Sequence, residues 1–275
     1  MQSASKPSVP RLESRAADHQ AKLEASLREL KLPMFLHHYQ TYAQDAARAG
    51  LSFERYLLAL CEAEMAEREV RRIEHAIKMA KLPFVKEIAT YDFSAVENLP
   101  RSRILELAEG HYLKDAENLL LLGNPGLGKT HVAIALALAA CRQGKRVRFY
   151  RAAKLVDELA LMRKDLRLSR FTAQFVKLDL LVLDELGFLP IDQEGAQMLF
   201  QLISDLYERV SVIVTSNLRF ADWNSMFRDE KMTDALIGRL THKGHILEFV
   251  GESYRFRHRL QQEQPPTDES KPEVG

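Results

Sequence analysis

At 275 residues the chain can hold one large domain with an appendage or two modest ones, and 46% hydrophobic residues are ample for a buried core. Its 39 Lys and Arg nearly balance 38 Asp and Glu, which excludes a global field that would force it onto a polyanion but leaves room for local basic patches. Two cysteines, Cys61 and Cys141, lie far apart without metal-ligand spacing, which argues against a disulfide scaffold and for buried, reduced thiols in a cytoplasmic protein.

The opening "MQSASKPSVPRLESRAADHQ" is polar and lacks the apolar centre of a secretory segment, so residues 1–20 are expected to be disordered. Residues 21–90 are predicted to form a small all-helical N-terminal domain. Within them "FERYLLALCEAEMAEREVRRIEHAIKMAKL" runs without Gly or Pro, and Ala66, Val70, Ile73, Ile77 and Ala80 recur at spacings of three and four, lining up one apolar stripe. The outer face pairs Glu64 with Arg68, Glu67 with Arg71 and Glu74 with Lys78, each acid four residues before its base. That face is a solvated one stabilised by side-chain pairs, or else Arg68, Arg71, Arg72, Lys78 and Lys81 exchange their acids for the phosphates of a nucleic acid.

Residues 91–117 read as a connector carrying one helix, "RSRILELAEGHYL", and then the pattern changes. Short apolar runs alternate with helices: "NLLLLG" (118–123), "RVRFY" (146–150), "LDLLVLD" (178–184), "SVIVTSN" (211–217) and "HILEFV" (245–250). Such runs predict five parallel strands covered by helices on both faces, an α/β domain over residues 91–260. "HVAIALALAAC" is too short to span a bilayer, so no membrane is expected and the cytoplasm is the expected compartment. Residues 261–275, "QQEQPPTDESKPEVG", carry no aromatic residue and are expected to be a disordered tail.

"GNPGLGKT" at 123–130 directly follows the first strand and opens a helix, the context a phosphate loop requires. Its glycines let backbone N–H groups turn toward phosphates, the helix N-terminus adds its positive end, Lys129 reaches the β and γ oxygens, and Thr130 offers a hydroxyl to magnesium. Gly123, Asn124, Pro125, Gly126, Leu127, Gly128, Lys129, Thr130 and the adjoining His131 are thus the candidate nucleotide contacts. "LLVLDE" supplies Asp184 as a second magnesium holder and Glu185 as a carboxylate placed to polarise a water, which favours hydrolysis over transfer to a small molecule. "VIVTSN" ends in Asn217, a neutral group suited to orienting the water or the γ-phosphate. Lys145, Arg146 and Arg148 form a further basic cluster, either a solvated strand edge or a DNA contact.

These phrases together resemble the AAA+ ATPases, and within them the insertion-sequence helper ATPases called IstB and the related helicase loaders of the DnaC type. The resemblance is carried by "ENLLLLGNPGLGKTHVAIALALAACRQGKRVRFYRAAKLVDEL", "DLLVLDELGFLP", "SVIVTSN", "ALIGRL" and "ILEFVGESYR", covering residues 90–257, with the helical part from about residue 30 also similar to the N-terminal region of IstB proteins. It implies an AAA+ phosphate-loop fold with a reduced lid and an ATPase, using ATP and Mg2+, that assembles with copies of itself. Arg239 in "ALIGRL" matches the box whose arginine reaches a neighbour's γ-phosphate, and Arg255 in "SYR" matches a second arginine of that group, serving either the nucleotide or a subunit or DNA contact, with Arg257 and Arg259 beside it. The resemblance further implies ATP-dependent assembly on double-stranded DNA, largely independent of sequence. The assembly would select a target site and recruit and stimulate a transposase, and hydrolysis would drive disassembly. A replicative-helicase loader sharing the same site is the nearest alternative, ahead of a small-molecule kinase or a nucleotide-locked scaffold.

Overall fold

The computed structural model describes residues 11–96, 99–188 and 191–251. The chain divides into two compact units, Met1–Arg72 and Ile73–Gly275, and the division falls inside a helix rather than at residue 90.

In the first unit lie α1 (Arg11–Glu29), α2 (Pro33–Arg48) and most of α3 (Phe53–Ala80). The start of α1 at Arg11 corrects the expectation of disorder through residue 20. Between Pro10 and Pro33 no Gly or Pro interrupts the sequence, and Lys22 pairs with Asp18 at 2.8 Å and Arg28 with Glu24 at 3.3 Å, each one helical turn apart. Pro33 opens α2 at a position where its missing N–H does no harm. Glu64 is buried rather than solvated: one carboxylate oxygen accepts the Met34 N–H at the start of α2 and the other takes Arg68 at 2.8 Å. Arg71 pairs with Glu67, and Arg72 with Glu69 three residues before it, whereas the expected Glu74–Lys78 ion pair does not form. The apolar stripe is also only half buried. Ala66 and Val70 are exposed, while Ile77 and Ala80 pack in the core of the second unit.

In the second unit α4 (Arg101–Ala108) precedes β1 (Asn118–Gly123), α5 (Lys129–Arg142), β2 (Val147–Arg151), α6 (Ala152–Lys164) and α7 (Leu168–Thr172). Then come β3 (Leu180–Leu186), α8 (Gln193–Leu206), β4 (Ser211–Ser216), α9 (Trp223–Phe227), α10 (Glu230–Thr241) and β5 (Gly244–Phe249). The five strands pair in parallel in the order β2-β3-β4-β1-β5. Alternate residues supply two cores. Leu119, Leu121, Val182 and Ile213 face α5, and Leu120, Leu122, Leu183 and Val214 face the layer of α6, α8 and α10. Burial on both faces explains why β1 is an unbroken apolar run rather than an alternating one. Asp192 and Asp229 start α8 and α10 by accepting the N–H of Gly195 and Met232.

The order of strands positions the site. The crossover from β1 travels to the far edge, and that from β4 passes over β1 to β5, so a crevice opens at the C-terminal ends of the strands where the connections part. Among the described residues no helix is long and apolar enough to cross a membrane.

Candidate nucleotide site

Two glycines of the loop are fixed by close approach. At Gly123, φ is 137° and a Cβ would lie 2.1 Å from the Phe249 carbonyl oxygen of the neighbouring β5; at Gly128, φ is 84° and a Cβ would meet the Tyr91 ring at 2.4 Å. The loop then delivers Lys129 and Thr130 at the N-terminus of α5. Lys129 Nζ donates to the carbonyls of Gly123 (2.6 Å) and Asn124 (2.8 Å). Burial pulls the ammonium's pKa down to about 8, against the opposing pull of Asp184. Without nucleotide Lys129 therefore loses its proton as pH rises through 8, while the phosphates of bound ATP favour the charged form. ATP binding should take up a proton above pH 8, and affinity should fall by up to about tenfold per pH unit there. Titration calorimetry in buffers of different protonation enthalpy measures that uptake; affinity flat between pH 8 and 10 would mean that the lysine stays charged without nucleotide.

Opposite the loop stands the end of β3. Leu183 pairs with Val214 and Leu186 with Ser216, so Asp184 and Glu185 together oppose the single residue Thr215. This is a β-bulge, and Glu185 takes the left-handed conformation with φ 59°. Asp184 Oδ1 accepts the hydroxyls of Thr130 and Thr215, both at 2.7 Å, and the Thr215 hydroxyl oxygen accepts the Glu185 N–H at 2.9 Å. The Glu185 carboxylate lies 3.6 Å from Arg151 at the end of β2. Lys129, Thr130, Asp184, Glu185 and Asn217 all line one cavity of about 520 Å³, a volume suited to a nucleotide-sized ligand.

Part of the lining of that cavity comes from residues 83–92, which sequence reasoning assigned to a helix and connector. Tyr91 donates its hydroxyl to the Leu127 carbonyl at 2.7 Å, and burial, with Asp92 beside it, pushes the phenol up to about 12 and keeps it a neutral donor. His131 Nε2 lies 3.0 Å from the Glu87 carbonyl oxygen and 3.4 Å from Thr90 Oγ1, and its ring meets Tyr91 edge-on at 5.2 Å. Glu87 also pairs with Arg142 of α5. Phe84 and Lys86 of this segment, and Phe188 just after β3, also line the cavity. The one available signal was the interleaving of aromatic and polar residues in "PFVKEIATYDF". Arg151 and Thr215 were likewise missed; their position at the ends of strands was the clue.

A magnesium ion fits the donors present. The Thr130 hydroxyl and Asp184 carboxylate are hard oxygens already within 2.7 Å of each other, and magnesium uses one or two protein ligands plus phosphates and waters rather than a cage. No group of three or more His, Cys, Asp or Glu among the described residues would compete for it.

Arg239 is not in this cavity. Its backbone carbonyl lies 3.4 Å from the Asn118 side-chain amide, at the start of β1, and the phosphate loop leaves the other end of that strand, about 17 Å away at the usual rise per residue. Its guanidinium donates to the Ala235 carbonyl at 3.0 Å and covers the Phe200 ring at 4.8 Å. In the basic cluster of β2, Arg146 is committed to Asp179 through its backbone N–H and side chain. Burial raises the Asp179 carboxyl, but Arg146 and Lys145 together hold it below its ordinary value. Arg148 turns inward, with Nη1 buried and without a partner. These facts weaken Arg146 and Arg148 as DNA contacts. Lys78 on α3 and Lys81, just past the end of that helix, are exposed. Arg255, Arg257 and Arg259, the segment of the reduced lid and the tail lie outside the described residues.

Comparison with known proteins adds a family. A family model described as IstB-like ATP binding protein matches residues 25–262. The chain is 36% identical over 240 residues to an ATP-binding protein of insertion sequence IS5376 from Geobacillus stearothermophilus, a match spanning 87% of this chain and 96% of that one. It is 37% identical over 236 residues to the ATP-binding protein of IS21 from Pseudomonas aeruginosa, spanning 86% and 89%. Among solved structures, the DnaC helicase loader superposes with a TM-score of 0.51 at 20% identity, over 60% of this chain and 96% of that one. AMPPCP-bound DnaA from Aquifex aeolicus gives 0.53 at 19%, over 66% and 56%. The last two likenesses concern the fold alone, a five-stranded parallel sheet covered by helices.

Proposed function

The chain belongs to the IstB-like ATP-binding proteins, and from that premise we propose that it is an ATPase serving a transposase, assembling on double-stranded DNA with ATP and released by hydrolysis. The observation that carries the hydrolysis reading is the pair of adjacent carboxylates facing a phosphate loop, Asp184 bonded to the loop's Thr130 and Glu185 on the cavity wall. The transposase reading rests on relatives named for insertion sequences.

In this reading the phosphates of ATP lie over the loop's backbone N–H groups and the N-terminus of α5. Lys129 exchanges the Gly123 and Asn124 carbonyls for phosphate oxygens. Thr130 and Asp184 would hold the magnesium, which draws negative charge off the phosphates. Glu185 accepts a proton from the attacking water as its oxygen bonds to the γ-phosphorus and the bond from that phosphorus to the ADP oxygen breaks. Asn217 orients the water or the γ-phosphate, and a neighbouring copy's Arg239 stabilises the charge of the transition state. DNA is held through its phosphates by bases of α3, the paired arginines exchanging their acids for phosphate.

Light scattering with short duplex DNA at low salt tests the assembly. Large complexes are expected with ATP, and not with ADP or without nucleotide. Their affinity should fall with salt at a log-log slope of about 0.9 for every phosphate contacted. A monomer in ATP and duplex overturns the assembly, and salt-insensitive complexes overturn the phosphate contacts.

A further inference from the structure

A regular strand sends consecutive side chains to opposite faces, so Asp184 and Glu185 could not both serve one cavity without a device that breaks the alternation. The bulge is that device. It opposes two residues of β3 to one of β4, and the one is Thr215, whose hydroxyl donates to Asp184 Oδ1 and accepts the Glu185 N–H.

We propose that Thr215 is a positioning residue for hydrolysis, a single buried hydroxyl that sets the orientation of the metal-holding carboxylate and the backbone of the proton-accepting one. This role rests on the hydrolysis reading given above. Thr215 is 2% exposed, so water cannot replace its bonds. Its neighbour Ser216 provides the contrast: that hydroxyl donates to the Leu186 carbonyl and accepts the Leu218 N–H, backbone groups only. Thr215 instead commits its donor and an acceptor to the two acidic residues. The second bond also matters because a non-glycine residue at positive φ persists only when its surroundings hold it there. The Thr130 hydroxyl reaches Asp184 from the loop side, and Thr215 holds the same oxygen from the sheet side, so Asp184 keeps its orientation while Thr130 turns a lone pair to the metal.

Thr215→Val preserves the volume and the β-branched shape and removes both bonds. The full-length chain, assembled with duplex DNA, is assayed for phosphate release against Mg2+ and ATP concentration, with ATP affinity measured separately in EDTA. We expect kcat to fall by about 10- to 100-fold and half-saturating Mg2+ to rise, as for other groups that orient metal ligands. Metal-free ATP affinity should stay within about threefold, and Thr215→Ser, which restores the hydroxyl, should recover turnover. Thr215→Cys, with a poorly bonding thiol, carries the same test against Thr215→Ser should the valine chain not fold. Valine and cysteine variants that match the unaltered protein in kcat and Mg2+ dependence overturn the proposal while leaving the hydrolysis reading intact. An unaltered protein that releases no phosphate removes the hydrolysis reading itself, and this role with it.

Discussion

Glu185→Gln should retain ATP with an affinity within about threefold of the unaltered protein and lower phosphate release by about a hundredfold or more, the range expected when a general base is removed. The substitution keeps the size of the side chain and the bulge, because the Glu185 N–H still donates to Thr215. What disappears is the capacity to take a proton, together with the charge that faces Arg151. That exposed ion pair is worth little to stability, so the melting temperature should barely move. Phosphate release measured at saturating ATP, beside binding of a fluorescent ATP analogue, separates chemistry from affinity. Turnover within twofold of the unaltered protein would remove Glu185 from the role of base.

Arg239→Ala should be equally severe and act elsewhere. An arginine supplied to a γ-phosphate from outside can be worth about a thousandfold or more in turnover. Because Arg239 stands at the start of β1, remote from its own loop, the loss should be felt in the neighbour's site. Chains carrying Arg239→Ala and chains carrying Glu185→Gln, each inactive alone, should therefore regain part of the turnover when mixed, since each provides what the other lacks. Losing the contact with Phe200 costs about 0.5–1 kcal/mol, small beside such an effect. A mixture as inactive as its components would place the action of Arg239 within one chain, and an active single variant would exclude it altogether.

The strands and the phosphate loop were legible because they depend on local pattern. "NLLLLG" is β1 at its observed bounds, and the Gly, Lys and Thr positions follow from what phosphates require of a backbone. The end of β3 was placed two residues early, since the bulge that carries it on to Leu186 depends on Thr215, distant in sequence and indistinguishable there from any strand threonine. The order of the strands, the burial of Glu64 and the inward turn of Arg148 are likewise tertiary outcomes that no periodicity encodes. On α3 the periodicity was real, but a helical stripe specifies only that something apolar can be covered, and Val70 is not.

The pairing of β1 has a consequence for the order in which the molecule can be made. Residues 118–123 emerge from the ribosome well before both of their partners, residues 213–216 of β4 and 244–249 of β5. Until then the strand that carries the phosphate loop has no neighbour in the sheet, and the carbonyl of Phe249 that shapes the surroundings of Gly123 has not been synthesised. Closing such distant parallel pairs is slow, because chain entropy must be lost before any contact compensates for it. A nascent chain therefore carries its complete phosphate loop before either strand that flanks β1 in the sheet exists, and the surroundings of Gly123 are finished only with the last strand.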